Sequence, residues 1–305
     1  MPAPSLIFDI KRYAINDGPG IRITIFLKGC PLSCAWCHNP EGMSRKVQKM
    51  YTESKCIGAQ ECVLVCDVGA LTLTRNGIVT NVDKCTLCGD CAEVCPTKAI
   101  EMSGEERTVE ELMDIIRKEI PFMDQSGGGV TFSGGEPLHH HLFLKEMLDA
   151  CGKEGIHRCV DTTGFTNKKV LLEIAQRTDL FLYDLKMMDR NKHKEYTGVS
   201  NEKILDNLIT LASLDVDVII RIPLIKGVND DLENMQQSAR FIAGLPGKKR
   251  KVNILPYHNI ASTKYEKLGL EGLHTNSNFE APDEQTLERC LNIFKSHGVD
   301  AMVGG

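Results

Sequence analysis

Three closely spaced cysteines, Cys30, Cys34 and Cys37, are the residues best suited to do chemistry in this chain. They stand in the run Gly29-Cys30-Pro31-Leu32-Ser33-Cys34-Ala35-Trp36-Cys37-His38, a Cys-x3-Cys-x2-Cys spacing. Thiolates so close together can hold one iron–sulfur cluster. A four-iron cluster normally takes four cysteines. Three leave one iron open, and an open coordination position is what separates a catalytic metal site from a structural one. A zinc knuckle or a disulfide pair is the plainer alternative. It is disfavoured because no fourth ligand lies at finger spacing and the N-terminus shows no secretory signal.

A second cysteine-rich segment follows. Cys85-x2-Cys88-x2-Cys91-x3-Cys95-Pro96 is a bacterial ferredoxin run, whose fourth cysteine serves the other of two clusters. The partner run precedes it but is incomplete. It has Cys56, Cys62 and Cys66, with Ala59 where a cysteine belongs and Asp67 in place of the usual proline. By the crossing rule one cluster takes Cys66, Cys85, Cys88 and Cys91, and the other has only Cys56, Cys62 and Cys95. Three outcomes stay open for the second: a three-iron cluster, a four-iron cluster completed by Glu61 or a water, or no cluster. Ten of the 13 cysteines fall between Cys30 and Cys95. An odd total with this clustering points to metal sites in a reducing cytosol, not to disulfides.

The rest of the chain must position these thiols. Its 305 residues, 42% of them hydrophobic, support an ordinary globular core, and a net charge of -5 implies no affinity for nucleic acid. The basic run Lys248-Lys249-Arg250-Lys251 reads as a solvated loop. No segment approaches the ~20 apolar residues of a membrane span. Strand-like runs fall at residues 21–27, Val130–Ser133, Arg158–Asp161, Leu180–Asp184, Val216–Ile222 and Val252–Leu255, with a short run Ala301–Val303 at the end. Thr108-Val109-Glu110-Glu111 is a capping box opening a helix to about Glu119. Helical patterns follow near 141–153, 167–177, 202–213, 231–244 and 284–297. Alternating strands and helices with short loops predict a parallel sheet. About six such units make an α/β partial barrel, short of a full eight-strand one. The expected organisation is a barrel formed by residues 1–49 and 104–305, interrupted by an iron–sulfur insert at 50–103.

In such folds function gathers at the C-terminal ends of the strands. Those ends carry Gly134-Gly135-Glu136, Asp161-Thr162-Thr163-Gly164, Asp184-Leu185-Lys186, Arg221 and Pro256-Tyr257-His258-Asn259. Glycine, acid, base and histidine recurring at one rim predict one site there, with the Cys30 loop at its edge. His139-His140-His141 starts a helix, where adjacent side chains point apart, and reads as solvated loop and first turn. Cys151, Cys159, Cys290 and the Met187-Met188 pair read as packing.

Together these motifs resemble the radical S-adenosylmethionine enzymes and, within them, the activating enzymes of glycyl-radical enzymes. The resemblance is carried by Asp17-Gly18-Pro19-Gly20-Ile21-Arg22, the cysteine loop ending Cys37-His38-Asn39-Pro40, the Gly128–Pro137 segment, Asp161–Phe165, Asp184-Leu185-Lys186 and Leu255-Pro256-Tyr257-His258. It implies the radical SAM partial (β/α)6 barrel with a ferredoxin-like insert. It implies that the open iron chelates the amino and carboxylate groups of S-adenosylmethionine, that one electron cleaves the sulfonium, and that the resulting 5′-deoxyadenosyl radical takes a hydrogen atom from a partner's backbone glycine. It further implies roles for single residues. Trp36, His38 and His258 line the adenosine. Gly134 and Gly135 let backbone approach the methionine group, with Glu136 structural or near the amine. Lys186 and Arg221, with Leu185 between the strand-end acid and base, serve the cofactor. Asp161, Asp184, Thr162 and the Leu182 carbonyl form a monovalent-cation site. Asp17 meets the glycine loop.

The resemblance implies a monomer that takes electrons from ferredoxin or flavodoxin and acts on a glycyl-radical enzyme. The insert then reads as an electron relay or docking module. Pyruvate formate-lyase is disfavoured as partner, because its dedicated activator usually lacks the insert. Two other readings compete. A radical maturase of another peptide usually carries its extra clusters after the barrel, whereas Cys290 is the only cysteine here after Cys159. A plain electron-transfer protein explains neither the three-cysteine loop nor the polar strand ends.

Overall fold

The computed structural model describes residues 4–270 and 279–304. Its strands are β1 (Ser5–Ala14), β2 (Arg22–Leu27), β3 (Gln48–Tyr51), β4 (Leu71–Thr74), β5 (Gly77–Thr80), β6 (Ile100–Ser103), β7 (Glu105–Arg107), β8 (Gly129–Gly134), β9 (His157–Thr162), β10 (Leu180–Asp184), β11 (Asp217–Leu224), β12 (Lys251–Pro256) and β13 (Asp300–Val303). Nine of them form one open sheet in the order β13-β12-β11-β10-β9-β8-β2-β1-β7. From β2 through β8 to β13 every neighbouring pair is parallel. Spatial order follows chain order along this run, so the winding never reverses and the sheet has no switch point. All seven C-terminal ends lie on one rim. The short run at Ala301–Val303 is a full member of the sheet, which raises the parallel count above the expected six.

Two strands were not expected. β1 pairs antiparallel with β2, and β7 antiparallel with β1. Strand–helix alternation detects parallel units only, and a hairpin partner added to the first of them carries no such mark.

The strands show why one face serves packing and the other chemistry. Side chains alternate across a strand. Ile23, Ile25, Leu27, Val130, Phe132, Val160, Phe181, Tyr183, Ile220, Ile222, Val252 and Ile254 form the core with helical Leu112, Leu144, Leu148, Leu171, Leu208, Ala239 and Phe294. The alternate positions face inward. Near their start they are apolar, with Cys159, Leu180, Leu182 and Ile219 in one cluster. Toward the rim they become Ser133, Asp161, Asp184 and Arg221.

The helices lie close to their expected places: His141–Lys153, Lys168–Ala175, Glu202–Ala212, Leu232–Ala243 and Glu284–Ser296. Helices at Arg190–Thr197 and Ser262–Leu268 were not anticipated. The capping box forms as expected: Glu111 N–H donates to Thr108 Oγ1 at 3.3 Å, and Thr108 N–H donates to Glu111 Oε2 at 2.7 Å. That helix stops at Arg117, and a separate one, Ile120–Ser126, carries Pro121 in its first turn. No described helix is long and apolar enough to cross a membrane.

The basic run departs from its expected role. Arg250 is buried and donates from Nη2 to the Ala212 carbonyl at 2.9 Å. Only its neighbours fit a solvated loop; Lys248 pairs with Asp215 at 2.6 Å.

Thr108→Ala removes the cap acceptor, and urea denaturation is expected to show a loss of about 1 kcal/mol.

Candidate active site

The Cys30 loop leaves the end of β2 and is fixed mainly through its backbone. Gly29 N–H donates to Gly42 O at 2.7 Å and Cys30 N–H to Met43 O at 3.2 Å. Ser33 and Ala35 N–H groups donate to the Thr197 and Tyr196 carbonyls, each at 2.9 Å. The helix Arg190–Thr197 escaped sequence reasoning because it buries only His193 and Thr197 and so shows no apolar stripe, although Asp189 caps its start and Gly198 its end. Leu32 N–H points at Cys30 Sγ at 3.4 Å.

The loop closes one wall of a cavity of about 580 Å³, within the range of small-molecule sites. Cys30, Cys34 and Cys37 line it together with Trp36, His38, Gly134, Gly135, Asp161, Thr162, Asp184, Lys186, Arg221 and His258. Asp17 lines it too, but arrives from the opposite end of the sheet. It sits before β2, its carboxylate accepts from Thr24 Oγ1 at 2.8 Å, and its carbonyl accepts from Thr131 Oγ1 at 2.7 Å. A Cβ on Gly20 would run into the Gly128 backbone, so this turn fits only because both are glycine. A second cavity of about 460 Å³ adjoins the first through Asn16 and Arg221 and runs down to Lys248–Lys251.

Burial pushes all three thiols up, Cys37 to about 12. Iron binding must therefore displace a proton from each. Among the described residues no three His, Cys, Asp or Glu side chains are arranged to share one metal ion. Cluster cysteines bind separate irons and need no common centre, so three thiols on one cavity wall fit a cluster.

The charged side chains form two pairs. Lys186 Nζ donates to Asp184 Oδ2 at 2.8 Å, and Arg221 Nη1 lies 3.4 Å from Asp161 Oδ1. Ser133, which the sequence did not single out, donates to Asp161 at 2.7 Å. Burial lowers the Lys186 ammonium, but Asp184 and the neighbouring thiols more than offset that and it is raised overall. Burial pushes the Asp161 carboxyl up, against the pull of Arg221. Arg221 Nη1 is buried with no hydrogen-bond partner, its contact with Asp161 being ionic only. An anionic group entering the cavity would complete it. A monovalent cation at Asp161 and Asp184 would have to displace both pairings.

The aromatic wall is assembled from three segments. His38 and His258 rings stack 4.4 Å apart at 17°. Burial, then the neighbouring His258, lowers His38 to about 4, so the ring is neutral at neutral pH. Trp36 is nearly buried against Met187, Ile225, Val228 and Tyr257, and forms wall more than platform. Asn229, also unforeseen, is fully buried and donates to the Lys186 and Pro223 carbonyls at 2.8 and 2.6 Å, locking the Lys186 turn.

Two expectations narrow, at Glu136 and at Gly134 and Gly135, and two change, at Leu185 and His140. Glu136 does not reach the cavity. Its carboxylate accepts from Leu138 N–H at 3.1 Å, Thr162 Oγ1 at 2.6 Å, Thr163 N–H at 2.8 Å and Thr163 Oγ1 at 2.5 Å. It is a buried tie between the β8 and β9 ends. Leu185 is buried in the main core, so only its neighbours face the site. Gly134 and Gly135 line the cavity, but a Cβ on either would collide with this chain's own backbone, at Leu27 and Gly29 respectively. Their smallness serves the Cys30 loop first. His140 is half-buried, not solvated: its ring bonds the Lys28 carbonyl at 2.5 Å and Ser5 Oγ at 3.1 Å.

The insert carries two smaller pockets. Cys66, Cys85, Cys88 and Cys91 line one, and Cys56, Cys62 and Cys95 the other, with Ala59 and Glu61 beside them. The crossing pattern expected from the sequence is the one the backbone builds. β3 pairs antiparallel with β6, closing the ends of the segment together. None of the 13 cysteines forms a disulfide.

A rim cavity with three half-buried thiols at the strand ends fits an enzyme that uses an iron–sulfur cluster. Comparison with known proteins agrees. Residues 84–239 match the radical SAM superfamily, residues 55–99 a 4Fe-4S dicluster domain and residues 16–62 a 4Fe-4S single cluster domain. The chain is 39% identical to the choline trimethylamine-lyase activating enzyme of Oleidesulfovibrio alaskensis, over 95% of this chain and 96% of that protein. It is 38% identical to the trans-4-hydroxy-L-proline dehydratase activating enzyme of Clostridioides difficile, over 98% and 99%. Among solved structures, a domain of pyruvate-formate lyase-activating enzyme from Bacteroides vulgatus matches with a TM-score of 0.51 and 40% identity, covering 58% of this chain and 99% of that one. SuiB of Streptococcus suis shares the fold at 12% identity, TM-score 0.56, over 90% of this chain and 46% of that one. The chain belongs to the radical SAM superfamily and, within it, to the glycyl-radical enzyme activating enzymes.

Glu136→Ala strands four buried donors, and chemical denaturation is expected to show a loss of about 3 kcal/mol. Glu136→Gln keeps an acceptor and is expected to cost less.

Proposed function

We propose that this protein switches on a glycyl-radical enzyme, cleaving S-adenosylmethionine in the rim cavity and abstracting a hydrogen atom from the partner's glycine. The observation that carries this reading is the convergence of three half-buried thiols and an unsatisfied Arg221 N–H on one cavity that Asp17 enters from the far side. Cys30, Cys34 and Cys37 would hold a four-iron cluster, which would supply the one electron needed to cleave the sulfonium S–C5′ bond to methionine and a 5′-deoxyadenosyl radical. Arg221 donates to the methionine carboxylate, and its fixed planar fork suits that shape. Lys186, steadied by Asp184, holds positive charge beside Cys34. The neutral ring of His38, stacked on that of His258, and Tyr257 enclose the adenosine.

The glycine loop reaches the radical through the lower cavity, past Lys248–Lys251, and Asp17 orients it. The hydrogen atom passes to the 5′ carbon and the radical stays on the glycine. The partner's own substrate never enters this protein, so nothing in the cavity reads it. The Cys66, Cys85, Cys88 and Cys91 pocket takes a four-iron cluster, and the insert relays electrons from a ferredoxin or flavodoxin to the rim.

Three outcomes test this. Cys34→Ser is expected to reduce 5′-deoxyadenosine release by dithionite-reduced protein to background. Asp17→Asn is expected to retain that release without partner but to lower the glycyl-radical EPR signal at least ~10-fold, an effect of about 1.4 kcal/mol on productive docking. Cys85→Ser with Cys88→Ser is expected to depress radical yield with flavodoxin as donor while dithionite still drives it; undiminished yield from a folded variant would exclude the relay.

A further inference from the structure

The two insert pockets follow one backbone template, and one of them lacks a ligand. Before the second cysteine position the loops carry Gly58 at φ 71° and Leu87 at φ 58°. After it they carry Gln60 at φ 69° and Gly89 at φ 98°. Each loop then enters a one-turn helix at the same offset, Glu61–Leu64 and Asp90–Glu93. Each run's last sulfur accepts the N–H four residues on: Ala70 to Cys66 at 3.3 Å and Ala99 to Cys95 at 3.1 Å. Gly69 and Lys98 take matching left-handed conformations, φ 57° and 52°.

Left-handed backbone at a non-glycine residue costs about 1 kcal/mol or more and persists where surrounding structure demands it. Gln60, Leu87 and Lys98 all accept it inside this small segment. The loop around Ala59 therefore keeps the shape that presents a thiol in its twin, while offering a methyl group. Ala59 and its counterpart Cys88 are both exposed, so this corner faces water. Glu61 does not replace the missing thiol. It occupies the place Asp90 holds in the complete pocket, a first-turn position beside the ligands where four cysteines already suffice. Gln60 likewise matches Gly89.

We propose that Cys56, Cys62 and Cys95 hold a three-iron cluster, each thiolate on one iron, with the corner facing Ala59 lacking its iron. This rests on the reading of the insert as a cluster module. The insert then contains two clusters of different type, and cluster type and charge are among the factors that set potential.

The test uses the full chain, reconstituted anaerobically, in a Cys34→Ser background so that the rim cluster adds no signal. Oxidised protein is expected to show the near-isotropic EPR signal of a three-iron cluster. Adding Ala59→Cys is expected to abolish that signal and raise the iron content by one per chain. Cys62→Ser is expected to abolish it and lower the iron content. Retention of the signal in Glu61→Ala supports the assignment. Equal iron content with and without Ala59→Cys, or loss of a whole cluster in Glu61→Ala, overturns it. Cleavage of S-adenosylmethionine, measured on chains with Cys34 intact, reports separately on the rim site.

Discussion

Charge on the inner face of a parallel sheet is the constraint on which the rest of this structure depends. One face of the sheet is closed by helices and must be apolar. The other curves around the rim cavity, where the charged side chains are largely withdrawn from solvent. Asp161, Asp184, Lys186 and Arg221 all project into that space, and isolated charges there would be prohibitive. They persist because each has a partner of opposite sign, 2.8 Å apart for Lys186 and Asp184 and 3.4 Å for Arg221 and Asp161. The pairing is not complete. Arg221 Nη1 has an ionic neighbour but no hydrogen bond, so the site is neutral enough to fold and still unsatisfied enough to attract a carboxylate. A buried pair is weak support for stability, and here its retention is better explained by binding.

Everything around those pairs holds them at the mouth of the thiol loop. Glu136 ties the β8 and β9 ends, and Asn229 locks the turn after β10. Gly134 and Gly135 let the Cys30 backbone pass. Each acts on backbone, so the geometry of the rim is set by hydrogen bonds that no ligand touches.

Much of this was legible in the sequence, for physical reasons that differ by element. The parallel strands betray themselves by apolar runs and their loops by glycine and acid. The thiol loop and the crossed insert ligands are written in cysteine spacing. What stayed hidden acts through contacts that are not local in sequence. β1 joins the sheet as an antiparallel neighbour. Ser133 and Asn229 are common residues whose importance lies in what faces them. Asp17 was legible as a motif, yet its route into the cavity from below depends on Gly20 meeting Gly128. For Glu136 the sequence leaves both a structural role and a place near the amine open, because it follows two glycines at a rim; its four donors, from Leu138, Thr162 and Thr163, decide for the structural one.

The insert shows the same division between side chain and backbone. Cysteine spacing alone leaves the fate of the Ala59 position undecided, because a missing thiol can mean a lost cluster or an altered one. Backbone conformation separates the two. A loop released from cluster binding has no reason to keep Gln60 left-handed, since relaxing it would recover free energy and Gln60 is exposed. The conformation is kept, and the twin loop with the same shape carries a cysteine, Cys88, at the matching position. At the rim, three cysteines share a cavity with an Arg221 N–H that has no hydrogen-bond partner. At Ala59 no donor waits, and the corner opens on water. The two deficits thus differ in their surroundings: the unsatisfied Arg221 N–H shares the rim cavity with the three thiols, whereas the position of Ala59 is exposed.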